Sequence, residues 1–366
     1  MIRLPDGELP IYPSCVSRAI LLLSSLVVGL ASCVGSSQEI VPIELTITPE
    51  ATQQLKQNPR ADVPVIVQLG SKRITITTVH LKGHGSFQPI SGKPSFSIRS
   101  ATADLFGRKK LLLNNSSQDH SFLKWKIASE LFAKAGVPSP EIGFATVAMN
   151  GKKLGMYLVV EPTDKQFLKK HFTDPGGNLY EGANQDVTDV LDSDSSNADL
   201  DQKDRLQLAS ACLEPDLQKR WTRLNQALDM ERFLSFMAVE VLVDHRDGYS
   251  MDRNNFRLYH DPISDKFVFL PHGLDLLFYS SDLSPSRHFS SLLASSILET
   301  PEGKAAYEAR LHELAAQFYS DKSLIDRVDQ LWNGIKSEAP ADSEKSIGKL
   351  KAVLKARIES FRAKFG

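Results

Sequence analysis

The spacing of apolar positions changes several times along the chain, and each change marks an element. Ile20 to Leu30 is an uncharged run of 11 residues. It is too short to cross a bilayer as a mature helix and suits the core of a signal peptide. From Ile40 to about Ser100, alternation with β-branched residues predicts strands over Val41–Ile47, Val63–Leu69 and Arg73–Val79. Phe122 to Ala135 carries apolar residues at helical spacing and stops before Gly136-Val137-Pro138. Phe144–Met149 and Leu154–Val160 flank Asn150-Gly151, a hairpin-turn dipeptide. The N-terminal half therefore reads as mostly sheet with one principal helix.

Past Glu161-Pro162 the period lengthens. Lys165–His171, Leu206–Leu228 and Met230–Val243 read as helices, and the last is apolar nearly all round, as a central buried helix would be. Phe256–Tyr259 and Lys266–Leu270 predict a second hairpin, and the chain from Pro301 onward reads as helical. Glu181 to Asp204 holds eight acids against Lys203 alone, which predicts a solvated acidic insertion. Asp192-Ser193-Asp194 invites a calcium-loop reading. It fails because the sixth position is not glycine and Lys203 stands where a bidentate glutamate belongs. The seven basic residues from Lys345 on, against Glu359, are expected on a solvated helix face. No internal repeat is visible.

Composition and charge narrow the classes. With 42% hydrophobic and 24% charged residues the chain is an ordinary globular one. Lys plus Arg at 43 balances Asp plus Glu at 44, so no nucleic-acid partner is expected. Three cysteines (Cys15, Cys33, Cys212) make neither a disulfide framework nor a cysteine zinc site. Leu30-Ala31-Ser32-Cys33 resembles the bacterial lipobox, whose cysteine takes the lipid. Residues 1–33 are accordingly predicted as a signal peptide with lipobox and 34–39 as a polar tether. The mature protein would be an exported, monomeric lipoprotein, anchored in a membrane at Cys33 and facing the periplasm or the cell exterior. A cleaved secretory signal without lipid is the alternative. The leader is long and carries Asp6 and Glu8; initiation at Val16 would leave a compact Val16-Ser17-Arg18 start.

The densest chemistry lies between Val243 and Phe278. Asp244-His245-Arg246-Asp247-Gly248-Tyr249 follows the buried helix, Asn254-Asn255 comes next, and the hairpin ends in Pro271-His272-Gly273-Leu274-Asp275. An acid at a helix-to-loop junction beside a second acid at a strand end suits a general base plus a metal-binding carboxylate. Asn254 or Asn255 would complete oxygen coordination. The order resembles the protein-kinase arrangement of His-Arg-Asp, Asn and a metal-binding Asp, although Asp247 to Asn254 is longer than usual. The alternative is structural: Asp244 and Asp247 cap loop amides while Arg246 pairs with an acid. Upstream, Lys82-Gly83-His84-Gly85-Ser86 precedes Lys93-Pro94-Ser95. A glycine-rich turn feeding a lysine-bearing strand is what phosphate cradling requires, though Lys93 could equally be a solvated lysine.

With these residues assembled, the sequence resembles the CotH kinase family, secreted atypical protein kinases known from spore coats. Four stretches carry the likeness, in the family's order over about Val79 to Phe278. They are Lys82–Ser86 with Lys93–Ile98, Leu112–Asn115 with Asp119–Lys124, Met149–Gly151 with Leu154–Pro162, and Asp247–Asn255 with Pro271–Asp275. The resemblance implies an α+β, two-lobed atypical protein-kinase-like fold, with a mainly β N-lobe (40–162) and a mainly helical C-lobe (163–366). It also implies ATP with Mg²⁺ or Mn²⁺, and phosphate transfer to Ser or Thr of a secreted or envelope protein. By position, Lys93 would hold ATP phosphates beneath Gly83, Gly85 and Ser86, and Glu161 would lie near the nucleotide at the hinge. Asp247 would be the catalytic-loop acid with Asp252 as its rival, Asn254 or Asn255 would sit beside the metal, and Asp275 would bind it. Lys82 stands where arginine is commoner, and Pro271-His272-Gly273 replaces Pro-Trp-Asp, which removes one carboxylate.

Two other classes remain on the sequence alone. One is a pseudokinase or surface scaffold without transfer, to which the scarcity of ATP outside the cytoplasm lends weight. The other is a hydrolase using Asp247 and Asp275 on a carbohydrate, which the small number of Trp disfavours. For location the expectation is direct: Cys33→Ala should move the protein from membranes to the soluble fraction. Wild-type protein recovered unlipidated, with another N-terminus, would remove the anchor.

Overall fold

The computed structural model describes residues 39–193, 202–281 and 289–365. The leader, Cys33, most of the tether and the 194–201 part of the acidic insertion lie outside the described residues. The chain opens with β1 (Ile40–Thr46), α1 (Pro49–Gln57), β2 (Val63–Leu69), β3 (Lys72–Lys82), β4 (Ser95–Ser100) and β5 (Lys110–Asn114). Then come α2 (Lys124–Lys134), the hairpin β6 (Ile142–Met149) and β7 (Lys152–Val160), and α3 (Lys165–His171). These seven strands close a barrel in the order β1-β2-β3-β4-β5-β7-β6. Every neighbouring pair is antiparallel except β1 with β6. Closure leaves no free sheet edge, and Val63, Val67, Val79, Leu81, Phe96 and Ile98 fill the interior. Asn150 adopts positive φ at the β6–β7 turn, as the Asn-Gly pair foretells.

The remainder is mainly helical around a small sheet. It comprises β8 (Leu179–Gly182), β9 (Asp192–Ser193), α4 (Lys203–Cys212), α5 (Leu217–Ala227) and α6 (Met230–Leu242). There follow α7 (Tyr249–Asp252), β10 (Phe256–Asp261), β11 (Lys266–Pro271), α8 (Leu292–Leu298), α9 (Pro301–Tyr319), α10 (Ser323–Ile335) and α11 (Ser343–Phe365). The sheet runs β11-β10-β8-β9. One apolar core joins both parts: Trp125, Leu131 and Phe132 of α2 and Phe144 and Leu158 of the barrel wall pack with α6, α9 and α11.

Four expectations change. Helix α1 was hidden in a polar stretch, where the Thr48 side chain caps Ala51 N–H at 3.2 Å and Ala51 and Leu55 supply the only buried face. Leu206–Leu228 is two helices rather than one, because Pro215 interrupts the ladder and Asp216 caps a fresh start at Lys219 N–H, 2.9 Å away. The acidic insertion is solvated only in part over its described residues: Asp189 and Asp192 are exposed, but other acids are held. Tyr180 and Glu181 lie in β8, Asp186 is buried, and Asp204 accepts from Tyr180 Oη at 2.7 Å and Asn178 at 2.9 Å. Nor is the terminal basic stretch all solvated, since Arg357 is fully buried.

Aromatic packing fixes the second sheet on α6. Phe269 of β11 lies 4.7 Å from Phe233, 4.6 Å from Tyr249 and 5.5 Å from Phe256, centroid to centroid, and is almost wholly buried. Such a site cannot collapse around a missing ring. Phe269→Ala should cost about 3–5 kcal/mol of stability, read from the midpoint shift in urea unfolding; a loss below about 1 kcal/mol would mean that the cluster relaxes freely.

Candidate active site

The loop after α6 is organised by a buried acid. Glu240, fully buried in the last turns of α6, accepts Tyr249 N–H at 2.9 Å and Ser250 N–H at 3.0 Å. A β-carbon at Gly248 would collide with the Glu240 carboxylate and the His245 ring, so the glycine of Asp247-Gly248-Tyr249 is required by contact. Tyr249 Oη–H in turn donates to Asp186 at 2.8 Å. Asp244, at positive φ, accepts Ser280 N–H at 2.6 Å and pairs with Arg246 at 3.1 Å, which is the structural role weighed for it above.

Asp247 projects from this loop and is only partly buried. Asn254 donates to its Oδ1 at 2.9 Å, and Asn255 donates to its Oδ2 at 2.7 Å and its backbone oxygen at 2.8 Å. Asp252, the rival, ends α7 on the exposed surface. The extra length of the loop is thus taken up by α7, and Asp247 is the acid that meets both asparagines. The exit of β11 is stapled to the same place: His272 N–H donates to Asn255 O at 3.1 Å. Gly273 has φ +58°, and a β-carbon there would strike Asn255 Oδ1. That turn sets Asp275. Its Oδ1 is buried without a hydrogen-bond partner, and burial pushes its carboxyl up to about 6, with Lys82 opposing and Asp119 adding to the rise.

The ammonium whose charge acts most on Asp275 is Lys82, at the end of β3. Burial brings it down to about 8, against the pull of Asp275 and with the push of Lys110 and Arg257. Lys93 has other neighbours. Its Nζ lies 5.0 Å from the ring centroids of both Phe122 and Tyr157, and the charge it feels is that of Asp342. Lys93, expected to approach Asp275, is not among the charges that act most on it; it precedes β4, whereas Lys82 ends β3 beside the glycine turn. Lys110 at the start of β5, and Arg257 of β10 with Glu181 of β8, were not singled out from the sequence. Arg257 pairs with Glu181 at 2.7 Å, and His272 lies 3.8 Å from Glu181. Burial, then Arg257, Lys82 and Lys110, hold His272 well below its ordinary value and therefore neutral.

Gly83, Gly85 and Ser86 form the turn between β3 and β4. Gly83 has φ +100°, which a side chain would strain, and its carbonyl accepts from Arg60. Asn115 braces the turn by donating to Lys93 O at 2.8 Å. Glu161 presents no free carboxylate: one oxygen pairs with Arg108, and the other accepts Glu141 N–H at 2.9 Å and lies 3.7 Å from Lys170. Its side chain latches the end of β7 to Arg108 and to the Glu141 amide.

Among the described residues no group of three or more His, Cys, Asp or Glu forms a metal cage. The donor set still fits a hard divalent cation of the kind that keeps waters and phosphate oxygens as its remaining ligands. Asp275 offers a buried, unpartnered oxygen, and the asparagines use their amide N–H groups on Asp247, which leaves their oxygens as donors.

Asp275, half-buried with a buried Oδ1, thus lies in the field of Lys82, and the charges of Lys110 and Arg257 act in turn on Lys82. The chain belongs to the CotH kinase family, whose model, "CotH kinase protein", matches residues 81–360. It is 24% identical over 330 residues to the inner spore coat protein H of Bacillus subtilis, covering 82% of this chain and 88% of that one. It is 24% identical over 270 residues to the invasin CotH2 of Rhizopus delemar, covering 64% of this chain but 45% of the invasin, so it spans less than half of that relative. Two solved structures share 13% identity: the proinflammatory kinase CtkA of Helicobacter pylori (TM-score 0.33, covering 74% of this chain and 93% of that one) and HipA in the Shewanella oneidensis HipA–HipB–operator DNA complex (TM-score 0.38, covering 88% and 72%).

The elevated Asp275 carboxyl has a measurable consequence. A folded value of about 6 above the ordinary 3.8 means that the fold favours the neutral acid. The penalty on stability is complete above pH 6 and fades as pH falls toward 3.8. In chelator, Asp275→Asn should therefore melt higher than wild type at neutral pH and no higher at pH near the ordinary value. Equal melting at neutral pH would mean that Asp275 is well solvated.

Proposed function

We propose that this protein is an extracytoplasmic, ATP-dependent kinase that transfers the γ-phosphate to Ser or Thr of a secreted or envelope protein, working in the cleft between a β-rich lobe and a helical lobe. The observation that carries the reading is Asp275: a rigidly placed, buried acid with an unused oxygen, facing Lys82 and flanked by the Asn-held Asp247. Phosphoryl transfer asks a protein chiefly to position reactants and neutralise charge. Lys82, Lys110 and Arg257 supply positive charge for phosphate oxygens, and the turn Gly83–Ser86 covers them with backbone amides. Asp275, with Asn255 or Asn254, would hold Mg²⁺ or Mn²⁺, which when bound neutralises phosphate charge. Asp247, its carboxylate oriented by two amides, accepts the proton of the acceptor hydroxyl. Lys93, braced beside the same turn, remains available to an entering phosphate. Lipidation at Cys33 would tether a monomeric enzyme to a membrane facing the periplasm or exterior, with its protein substrate as the one macromolecular partner.

A second reading, a surface scaffold that keeps the fold without transfer, is favoured by one feature. Gly273 stands where the family pattern has an aspartate, so the metal neighbourhood has one carboxylate fewer. Radiolabel transfer to a generic acceptor, alongside thermal-shift titration with ATP and Mg²⁺ or Mn²⁺, separates the two. Asp275→Asn should reduce transfer by about two or more orders of magnitude while the protein stays folded. Asp247→Asn should impair transfer and keep the nucleotide shift. Wild type with neither transfer nor shift would establish the scaffold, and full activity in Asp275→Asn would displace the metal site.

A further inference from the structure

A guanidinium far from the cleft in sequence ties its two acid-bearing segments together. Arg357, on α11, is fully buried. Its Nη2 donates to Val241 O at 3.1 Å and Leu242 O at 2.8 Å, the last carbonyls of α6, of which Val241 O also accepts Asp244 N–H at 3.2 Å. Its Nη1 donates to Ser280 O at 2.7 Å. Tyr319 Oη–H joins the cluster, donating to Leu242 O at 2.6 Å with Arg357 Nε 3.4 Å away. Around this fork the same two strands of chain are cross-stitched, Phe278 N–H to Val243 O at 2.8 Å and Ser280 N–H to Asp244 at 2.6 Å. Leu242 precedes the loop that carries Asp247, and Ser280 follows the turn that carries Asp275.

We propose that Arg357 is a positioning residue that fixes the spacing between Asp247 and Asp275, a role that rests on the phosphotransfer reading above. The planar fork is the reason for arginine at this point. Two rigid donor edges reach two backbone segments at once, whereas an ammonium would serve them one at a time. A helix-capping role alone would lower stability and leave the turnover of folded molecules unchanged. A positioning role changes kcat with little effect on ATP binding.

The test uses the full chain as wild type, Arg357→Met and Arg357→Lys, with hydrogen exchange followed by mass spectrometry and steady-state transfer at saturating ATP and Mg²⁺. In Arg357→Met, exchange should quicken in segments 241–250 and 276–281 and stay unchanged in the β6–β7 hairpin. The kcat should fall about tenfold or more with KM for ATP within about twofold. Arg357→Lys should lie between, and it carries the test if the methionine variant does not fold. Either folded variant with wild-type kcat overturns the proposal, whatever its melting temperature. Wild type that shows no transfer, with the exchange change present in the variant, sinks the phosphotransfer reading and with it the catalytic role. Transfer in wild type with no change in either variant sinks the positioning role alone.

Discussion

Asp275 and Lys82 are half-buried charged groups in each other's field, and much of the molecule follows from keeping them so. Burial moves both toward neutrality, the acid upward and the amine downward, while each holds the other partly charged. Two such groups in one low-dielectric place are stable only if neither can swing out to solvent. Lys82 is held by the barrel, since its strand pairs with β4 through Ser95. Asp275 is held by the turn after β11, which Asn255 and Gly273 lock together. Closure of the barrel and the aromatic packing of β11 on α6 thereby serve the same end.

That constraint explains the otherwise odd concentration of satisfied buried acids around the cleft. Glu240 and Asp119 are almost completely buried, and each takes backbone amides: Tyr249 and Ser250 for the first, Ser121 and Lys124 for the second. Neither is a spare ligand. They organise the loops from which Asp247 emerges and α2 begins, at the desolvation cost that amide donors offset. Asp119 also acts through space, adding to the rise of the Asp275 carboxyl. The site is thus a hierarchy in which fully bonded acids position less fully bonded ones.

Elements with a clean period were legible in the sequence: the β6–β7 hairpin around Asn150-Gly151, the central helix α6 and the β10–β11 hairpin. So was the grouping of Asp247, Asn254, Asn255 and Asp275, because a short helix and a hairpin bring them together locally. What could not be read depended on direction or on distant partners. Lys82 and Lys93 both border the glycine turn, and only the pairing of β3 with β4 decides which ammonium faces Asp275. Lys110 opens a five-residue strand with no alternation of its own. Arg257 looks like any residue of a hairpin strand until β8 brings Glu181 beside it. The acids of 181–204 looked solvated because they are close in sequence, yet Glu181 faces Arg257, Asp186 faces Tyr249 and Asp204 faces Tyr180. In the same way, charge counting sent Arg357 to the surface, and only the carbonyls at the end of α6 account for its burial.

The cations of the cleft come from two directions, and this bears on how it would respond to a ligand. Lys82 and Lys110 belong to the barrel, while Arg257 and His272 belong to the hairpin on the helical side. Each depresses the basicity of others: Lys110 and Arg257 act on Lys82, and all three act on His272. Glu181 and Asp275 offset this repulsion only in part. The two sets therefore repel each other across the site. That repulsion is stronger the drier the site, because the same charges interact more strongly in a medium of low dielectric. His272, held neutral by burial and by these cations, adds no repulsion of its own.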